Sequence, residues 1–225
     1  MRTSLLLSAL AAAFTALACT SSTTDAGHAG GIPQSGATIR AVNASASQLN
    51  LIVDNDTLIR AVQVGSVSAP ASLPAGAHQI RLVSGNTTSN PMLITAADGR
   101  SVLAVGKGAA NTGITSSVLS DTGAIVPANR SKLRVVHLSE HAGDIEIWRT
   151  QPDYQAPIHI MTPFVYGAES PYLQSDPGAW EVFVTAAGST VKLTSTGAVN
   201  IPAGQRRTVI LLDSAGSKRF RVIDE

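Results

Sequence analysis

The chain states one pattern twice. "TIRAVNASASQLNLIVD", beginning at Thr38, lines up with "KLRVVHLSEHAGDIEIW", beginning at Lys132. A constant offset without a gap pairs Ile39 with Leu133, Arg40 with Arg134 and Val42 with Val136. It also pairs Ser45 with Ser139, Leu51 with Ile145 and Val53 with Ile147. Further on, "VGSVSAPASLPAGAHQIRL" matches "YGAESPYLQSDPGAWEVFV", so that Gly65 and Gly76 fall on Gly167 and Gly178. "SVLAV" then corresponds to "TVILL". An internal repeat of this kind must be settled before any other reading, because it restricts the fold to two like units.

Both copies read as strands. "HQIRL" and "WEVFV" alternate, which places Ile80 with Leu82, and Val182 with Val184, on one face. Turn residues interrupt the chain at "LPAG", "SGNTTSNP", "AADG", "SDPG" and "IPAG". No segment carries a capped helical period. The expectation is all-β: two tandem antiparallel β-sandwich domains of immunoglobulin or transthyretin-like build, with seven or eight short strands each. The bounds read from sequence are 1–18 for a signal peptide, 19–36 for a lipid-anchored flexible tether and 37–122 for the first sandwich. A linker, 123–131, and the second sandwich, 132–225, complete the chain. Each repeat is long enough to bury a core of its own.

The marks "IRAVNAS" and "LRVVHLS", the Gly-x-x-Ser segments after them and the "AG"-led apolar strands resemble the bacterial domain-of-unknown-function 4397 family. The resemblance covers nearly all of residues 37–225 as two tandem copies. It implies an exported or lipid-anchored β-sandwich protein and brings no catalytic residues with it. The Ser-Pro-Asp-Ala-Pro usual after the first strand is absent; "SASQ" and "SEHAG" stand there.

The amino-terminal stretch has a basic start at Arg2, the apolar run "LLLSALAAAFTALA" and small residues at its end. That is the pattern of a secretory signal, and it is shorter than the roughly 20 residues that span a bilayer. Cys19, the one cysteine, follows directly in "TALAC", which resembles the lipobox at which a cysteine is lipidated. Ala16-Leu17-Ala18 also fits ordinary signal peptidase, which would leave a secreted protein. Lipidation of Cys19 is the favoured expectation, because a lone exported thiol has no disulfide partner within the chain. "TSSTTDAGHAGGIPQSG" after it reads as a tether. With Thr20 rather than Asp beside the cysteine, a Gram-negative host would carry the protein at its outer membrane, facing the periplasm or the surface.

Without Arg2, 15 basic residues face 15 acidic ones, and no basic run appears. Nucleic acid, which demands clustered positive charge, is excluded as an expected partner. "RVVHLSEHAGD" holds His137, Glu140 and His141 in the spacing of the inverted zinc-protease signature. That chemistry needs a helix to bring the two histidines to one metal, whereas a β-rich run precedes them here. In the other copy Asn43, Ala46 and Ser47 occupy the aligned positions. The reading is a polar turn in which Ser139 caps the backbone, with no metal, no cofactor and no catalytic residue.

Every aromatic residue after the signal lies in the second repeat. Most are expected in its core, with Trp180 replacing His78 on an inward face. Tyr154, Tyr166 and Tyr172 are the candidates for a ligand-contact surface. The expected function is a non-enzymatic, lipid-anchored cell-envelope protein acting as a binding or spacer module. Its partners would be the membrane, through its lipid, and an envelope protein or glycan. The competing readings are a metal-dependent hydrolase using His137, Glu140 and His141, and a secreted adhesion or carbohydrate-binding protein.

Overall fold

The structure, a computed structural model, describes residues 36–97, 100–108, 113–120, 125–151, 157–214 and 216–224. The first half contains β1 (Ala37–Ser45), β2 (Leu49–Val53), β3 (Asp56–Val62), β4 (Ser66–Val67), β5 (Ala71–Leu73), β6 (Gly76–Ser84), β7 (Thr87–Thr88), β8 (Met92–Ala96), β9 (Ser101–Gly108) and β10 (Thr115–Ser120). The second contains β11 (Ser131–Leu138), β12 (Ile145–Thr150), β13 (Ile158–Phe164), β14 (Leu173–Ser175), β15 (Gly178–Ala186), β16 (Lys192–Ser195), β17 (Val199–Ile201), β18 (Arg206–Ser214) and β19 (Ser217–Asp224). The protein is all-β, as expected, although its edges break into more short strands than the turn signals suggest.

In the first half, β10, β9, β1 and β4 form one sheet, with β5 also on β1. The facing sheet runs β3, β2, β6 and β7, with β8 also on β6. The second half follows the same order: β19, β18, β11 and β14 against β13, β12, β15 and β16, with β17 on β15. One pairing in each half departs from an antiparallel sandwich. β1 runs parallel to β9, and β11 parallel to β18. A parallel pair needs a long crossover, and the whole of the opposite sheet supplies it.

Alternation works as the sequence suggests. Ile39, Leu51, Ile80 and Leu82 close the first core, and Leu133, Ile147, Val182 and Val184 the second. The β2–β3 hairpin turns on Asp54 and Asn55, both at positive φ. That is what a two-residue turn matching the twist of the strands requires, and Asn and Asp tolerate it. The gapless pairing of the repeats fails at β2, however. Leu49 lies opposite Ser84 and Ile145 opposite Ala186, so Leu51 corresponds to Ile147 and not to Ile145. A short 3-10 turn, Glu140–Ala142, takes up two extra residues in the second half. A slip of two preserves which face each side chain takes, so the apolar pattern alone did not expose it.

A third core lies between the halves. β1 and β9 turn Val42, Leu103 and Val105 outward from their own sandwich, and there they meet Val136, Leu138, Ile210, Leu212 and Ile223. All eight are buried. Their transfer from water is worth on the order of 10–20 kcal/mol before conformational entropy is subtracted. The four sheets therefore stack, with the β9 and β18 sheets forming the inner seam. Gly65 and Gly167, aligned in the repeats, both touch the opposite half. A Cβ on Gly65 would come within 2.3 Å of the Asp213 carbonyl oxygen, and one on Gly167 within 3.2 Å of the Lys107 Nζ. Both have positive φ as well, at 67° and 86°, which favours glycine at each; at Gly65 the backbone carbonyl is a second constraint, whereas the Lys107 side chain beside Gly167 can move.

Candidate functional site

His137 stands near the end of β11 and is fully buried. Its Nε2–H donates to the Gly143 carbonyl at 2.8 Å, and its Nδ1 accepts from the Ser139 N–H at 3.3 Å. Both ring nitrogens are thus committed to the backbone of the turn. Asn43 does the same work in the first half. Its amide donates to the carbonyls of Ser47 and Val62, both at 2.8 Å, and its Oδ1 accepts from the Ser45 N–H at 2.9 Å. The polar residue closing this turn is therefore His137. Ser139 does not cap the 3-10 turn; its hydroxyl donates instead to Asp213 Oδ1 at 2.5 Å.

His141 is exposed and meets the other oxygen of Asp213, through Nδ1 at 2.9 Å and its backbone N–H at 3.1 Å. Burial works to raise the Asp213 carboxyl, and hydrogen bonds from Ser139 and His141 outweigh it, so its pKa falls below the usual value. Serine, aspartate and histidine are together here, but the carboxylate lies between the other two. Nucleophile activation requires the imidazole in that position. Among the described residues no group of three His, Cys, Asp or Glu side chains is gathered to hold a metal ion.

Burial lowers the His137 pKa from 6.5 despite the carbonyl and the acidic neighbours Asp213 and Asp144. The unfolded chain takes up a proton below pH 6.5 that the fold refuses, so this group's contribution is complete above that value and is lost as the pH falls. His141 has the opposite sign: its hydrogen bond to Asp213 raises its pKa. That contribution is present below 6.5 and fades as pH rises through the folded value. His78, raised by its hydrogen bond to Asp54, adds to the second group. Urea titrations of the mature chain at pH 5 and 7.5 should show His137→Asn gaining at pH 5 relative to wild type. An unchanged pH dependence would show that His137 is not the buried neutral group.

The tryptophans and phenylalanines of the second half divide into two sets. Phe164, Trp180 and Phe220 join the second core. Trp180 does replace His78 in detail, since its Nε1–H donates to the Asp176 carbonyl where His78 Nε2 faces the Pro74 carbonyl, both at 2.8 Å. Trp148 and Phe183 are on the other face of their sheet. In register, His159 on β13, Trp148 on β12 and Phe183 on β15 form one rung. Trp148 and Phe183 stack at 6.0 Å between centroids and 5° between planes, and Trp148 and His159 lie 4.5 Å apart. His159 is exposed, Trp148 half-buried and Phe183 buried. Glu146 approaches His159, and Lys192 approaches Glu181, at the margins. The equivalent rung of the first half is Thr57, Ile52 and Arg81. Cross-strand aromatic contacts stabilise a sheet, and a ring that keeps one side toward solvent also offers a stacking platform.

Sequence parity could have found this rung. Trp148 is out of phase with Ile145 and Ile147, and Phe183 with Val182 and Val184. The tyrosines are placed differently. Tyr166 is 37% exposed, with its edge toward His137 and Lys107 Nζ 5.8 Å from its centroid. Burial, then the charges of Glu140 and Asp213, raise its pKa. Tyr172 is half-buried beneath the Arg134 guanidinium, 4.7 Å from its centroid. Tyr154, Cys19, the signal peptide and the tether up to Ser35 lie outside the described residues.

Two tandem-ordered β-sandwiches sharing an inner seam define the class of protein. Within that class, residues 37–148 match the model of the family described as "Domain of unknown function (DUF4397)", which supports membership of that family. The match spans the first half and reaches β12 of the second. No curated protein matches the sequence. Similar solved structures include a family CBM26 module, CBMbc, of Amy13K from Eubacterium rectale, in complex with maltoheptaose. It is 10% identical at a TM-score of 0.27, over 83% of this chain and 96% of that one. The TIE protein of Bacillus anthracis is 12% identical at 0.27, over 80% and 34%. A Bacteroides fragilis protein described as a "putative cell adhesion protein" is 11% identical at 0.20, over 82% and 85%.

Proposed function

We propose that the chain is a non-enzymatic, lipid-anchored cell-envelope protein, two copies of its family domain fused into one stiff body that presents a glycan- or protein-binding surface on its second half. The observation that carries this reading is the rung of His159, Trp148 and Phe183 on an outer sheet face. It is present in one half and replaced in the other by Thr57, Ile52 and Arg81. A need for stability alone would act on both halves. The seam core supports the idea of a stiff body, because it opposes independent movement of the halves. Diacylation at Cys19 would hold the body at a membrane, at about 0.8 kcal/mol per buried methylene. The engagement of His137 and Asp213 in turn structure supports a role without catalysis.

The test is titration of the mature chain with envelope polysaccharide fragments, read by tryptophan fluorescence, beside Trp148→Ala. Binding that falls at least tenfold in the variant, as for a central aromatic contact, with the fragment recovered at unchanged mass, is the expected result. Fragments recovered cleaved, or binding indifferent to Trp148, would overturn it.

A further inference from the structure

We infer that the base of the seam binds the phosphate groups of an anionic membrane surface. The inference rests on the lipid anchor proposed above. The central strands of the seam, β1, β9, β11 and β18, all begin at this end. A cleft of about 300 Å³ opens there, lined by Gly36, Arg40, Arg100 and Arg206 together with Thr38 and Asp224. Lys132 is the register neighbour of Arg206 on β18, and parallel neighbours take the same face. The residues come from both halves, so the site exists only while the seam is closed.

The charges are unevenly balanced. Among the described residues Asp224 is the one acidic side chain lining the cleft, and it is held by Arg207 Nε at 2.8 Å. Arg40 donates one N–H to the Ser68 carbonyl. Arg100 is exposed. Among the described residues, a chain that is formally neutral after its signal thus gathers basic side chains from both halves at this cleft. No basic run marks this cleft in the sequence, because Arg40, Arg100 and Arg206 lie far apart along the chain. Guanidinium groups suit phosphate oxygens through paired N–H donors.

The location supplies the partner. Gly36 lines the cleft and is also where the tether from Cys19 joins the fold. Sixteen residues lie between them. A Gly- and Ser-rich tether of that length has an average span of about 20–25 Å and a limit of roughly 60 Å. The basic cleft is therefore the part of the body closest, along the chain, to the lipid. Surface attraction acts over a Debye length of about 8 Å, which the tether permits. Engagement would set the body upright on the membrane, with its far end presented outward.

The experiment uses the mature chain as Cys19→Ser, which has no lipid, so vesicle binding reads the cleft alone. The expected result is sedimentation with vesicles of equal phosphatidylglycerol and phosphatidylcholine, at least tenfold above phosphatidylcholine alone and suppressed by salt. Arg100→Glu should lower that binding about fivefold or more, from the usual contribution of one basic residue at such a surface. Arg60→Glu, an exposed change of equal charge on β3, should leave it within about twofold. Equal losses in the two variants would reduce the effect to net charge and overturn the site. Thermal protection by inorganic phosphate that depends on Arg100, without vesicle binding, would assign a free anion and overturn the membrane partner. The anchor is read separately: the lipidated chain carrying Arg100→Glu stays in the membrane fraction if Cys19 is acylated, whatever the cleft does.

Discussion

Leu103→Asp should split the unfolding of this protein in two. Leu103 is fully buried on β9 with its side chain in the seam, while its neighbours Val102 and Ala104 face the first core. An unpaired carboxylate there cannot be hydrated while the seam is closed, and an uncompensated buried charge costs several kcal/mol. The first sandwich keeps its own core, so the economical response is to open the seam. The halves then lose their mutual support. The aromatic asymmetry provides the measurement. Trp148 and Trp180 are the only tryptophans, so fluorescence follows the second half, while far-ultraviolet circular dichroism follows both. In wild type the two urea transitions should coincide. In Leu103→Asp they should separate, with the scattering radius of the native chain increased. Coincident transitions in the variant, or separated ones in wild type, would show that the seam does not couple the halves.

The seam was partly visible in the sequence. "SVLAV" and "TVILL" do not alternate; they are continuous apolar runs, and in the structure Val102 to Val105 and Val209 to Leu212 are all buried. A run of that kind signals a strand covered on both faces. The repeat makes the two runs equivalent, and it is the other half that covers the second face of each. The individual cores were more legible, because Ile80 with Leu82 and Val182 with Val184 alternate cleanly against polar neighbours.

Other features depend on information that local pattern does not carry. The His-x-x-Glu-His spacing is meaningful on a helix, and only the strand before it argues otherwise. That its first histidine is the partner of Asn43 follows from the alignment. That both serve the turn backbone follows only from where the turn runs. The parallel pairing of β1 with β9 leaves no local mark, because the two strands are brought together by everything between them. The arginine cleft is more distant still: its residues come from both halves and meet only after the seam forms.

Asn43→Ala should destabilise the chain by about 2–4 kcal/mol, more than its size suggests. The residue is fully buried and makes four hydrogen bonds: to the carbonyls of Ser47 and Val62, and from the Ser45 N–H and hydroxyl. Alanine leaves the Ser45 N–H and the Val62 carbonyl buried, and each such group costs roughly 1–3 kcal/mol when unmet. Ser47 is exposed, so its carbonyl can turn to water. Asn43→Asp separates the two roles of the amide. The acceptor for Ser45 survives, but a carboxylate now faces two carbonyl oxygens. Its pKa should rise in the fold, so stability lost at pH 7.5 should partly return at pH 5, the reverse of a paired surface aspartate. His137→Asn is expected to be milder than Asn43→Ala. Asparagine keeps an acceptor for the Ser139 N–H and gives up the longer reach to Gly143, which lies beyond the two added residues of that turn. The measurement is urea denaturation of the three variants at both pH values. If Asn43→Ala and Asn43→Asp each cost less than about 1 kcal/mol, with no recovery in acid, the polar side chain at this turn is an accessory, and the turn is held by its backbone alone.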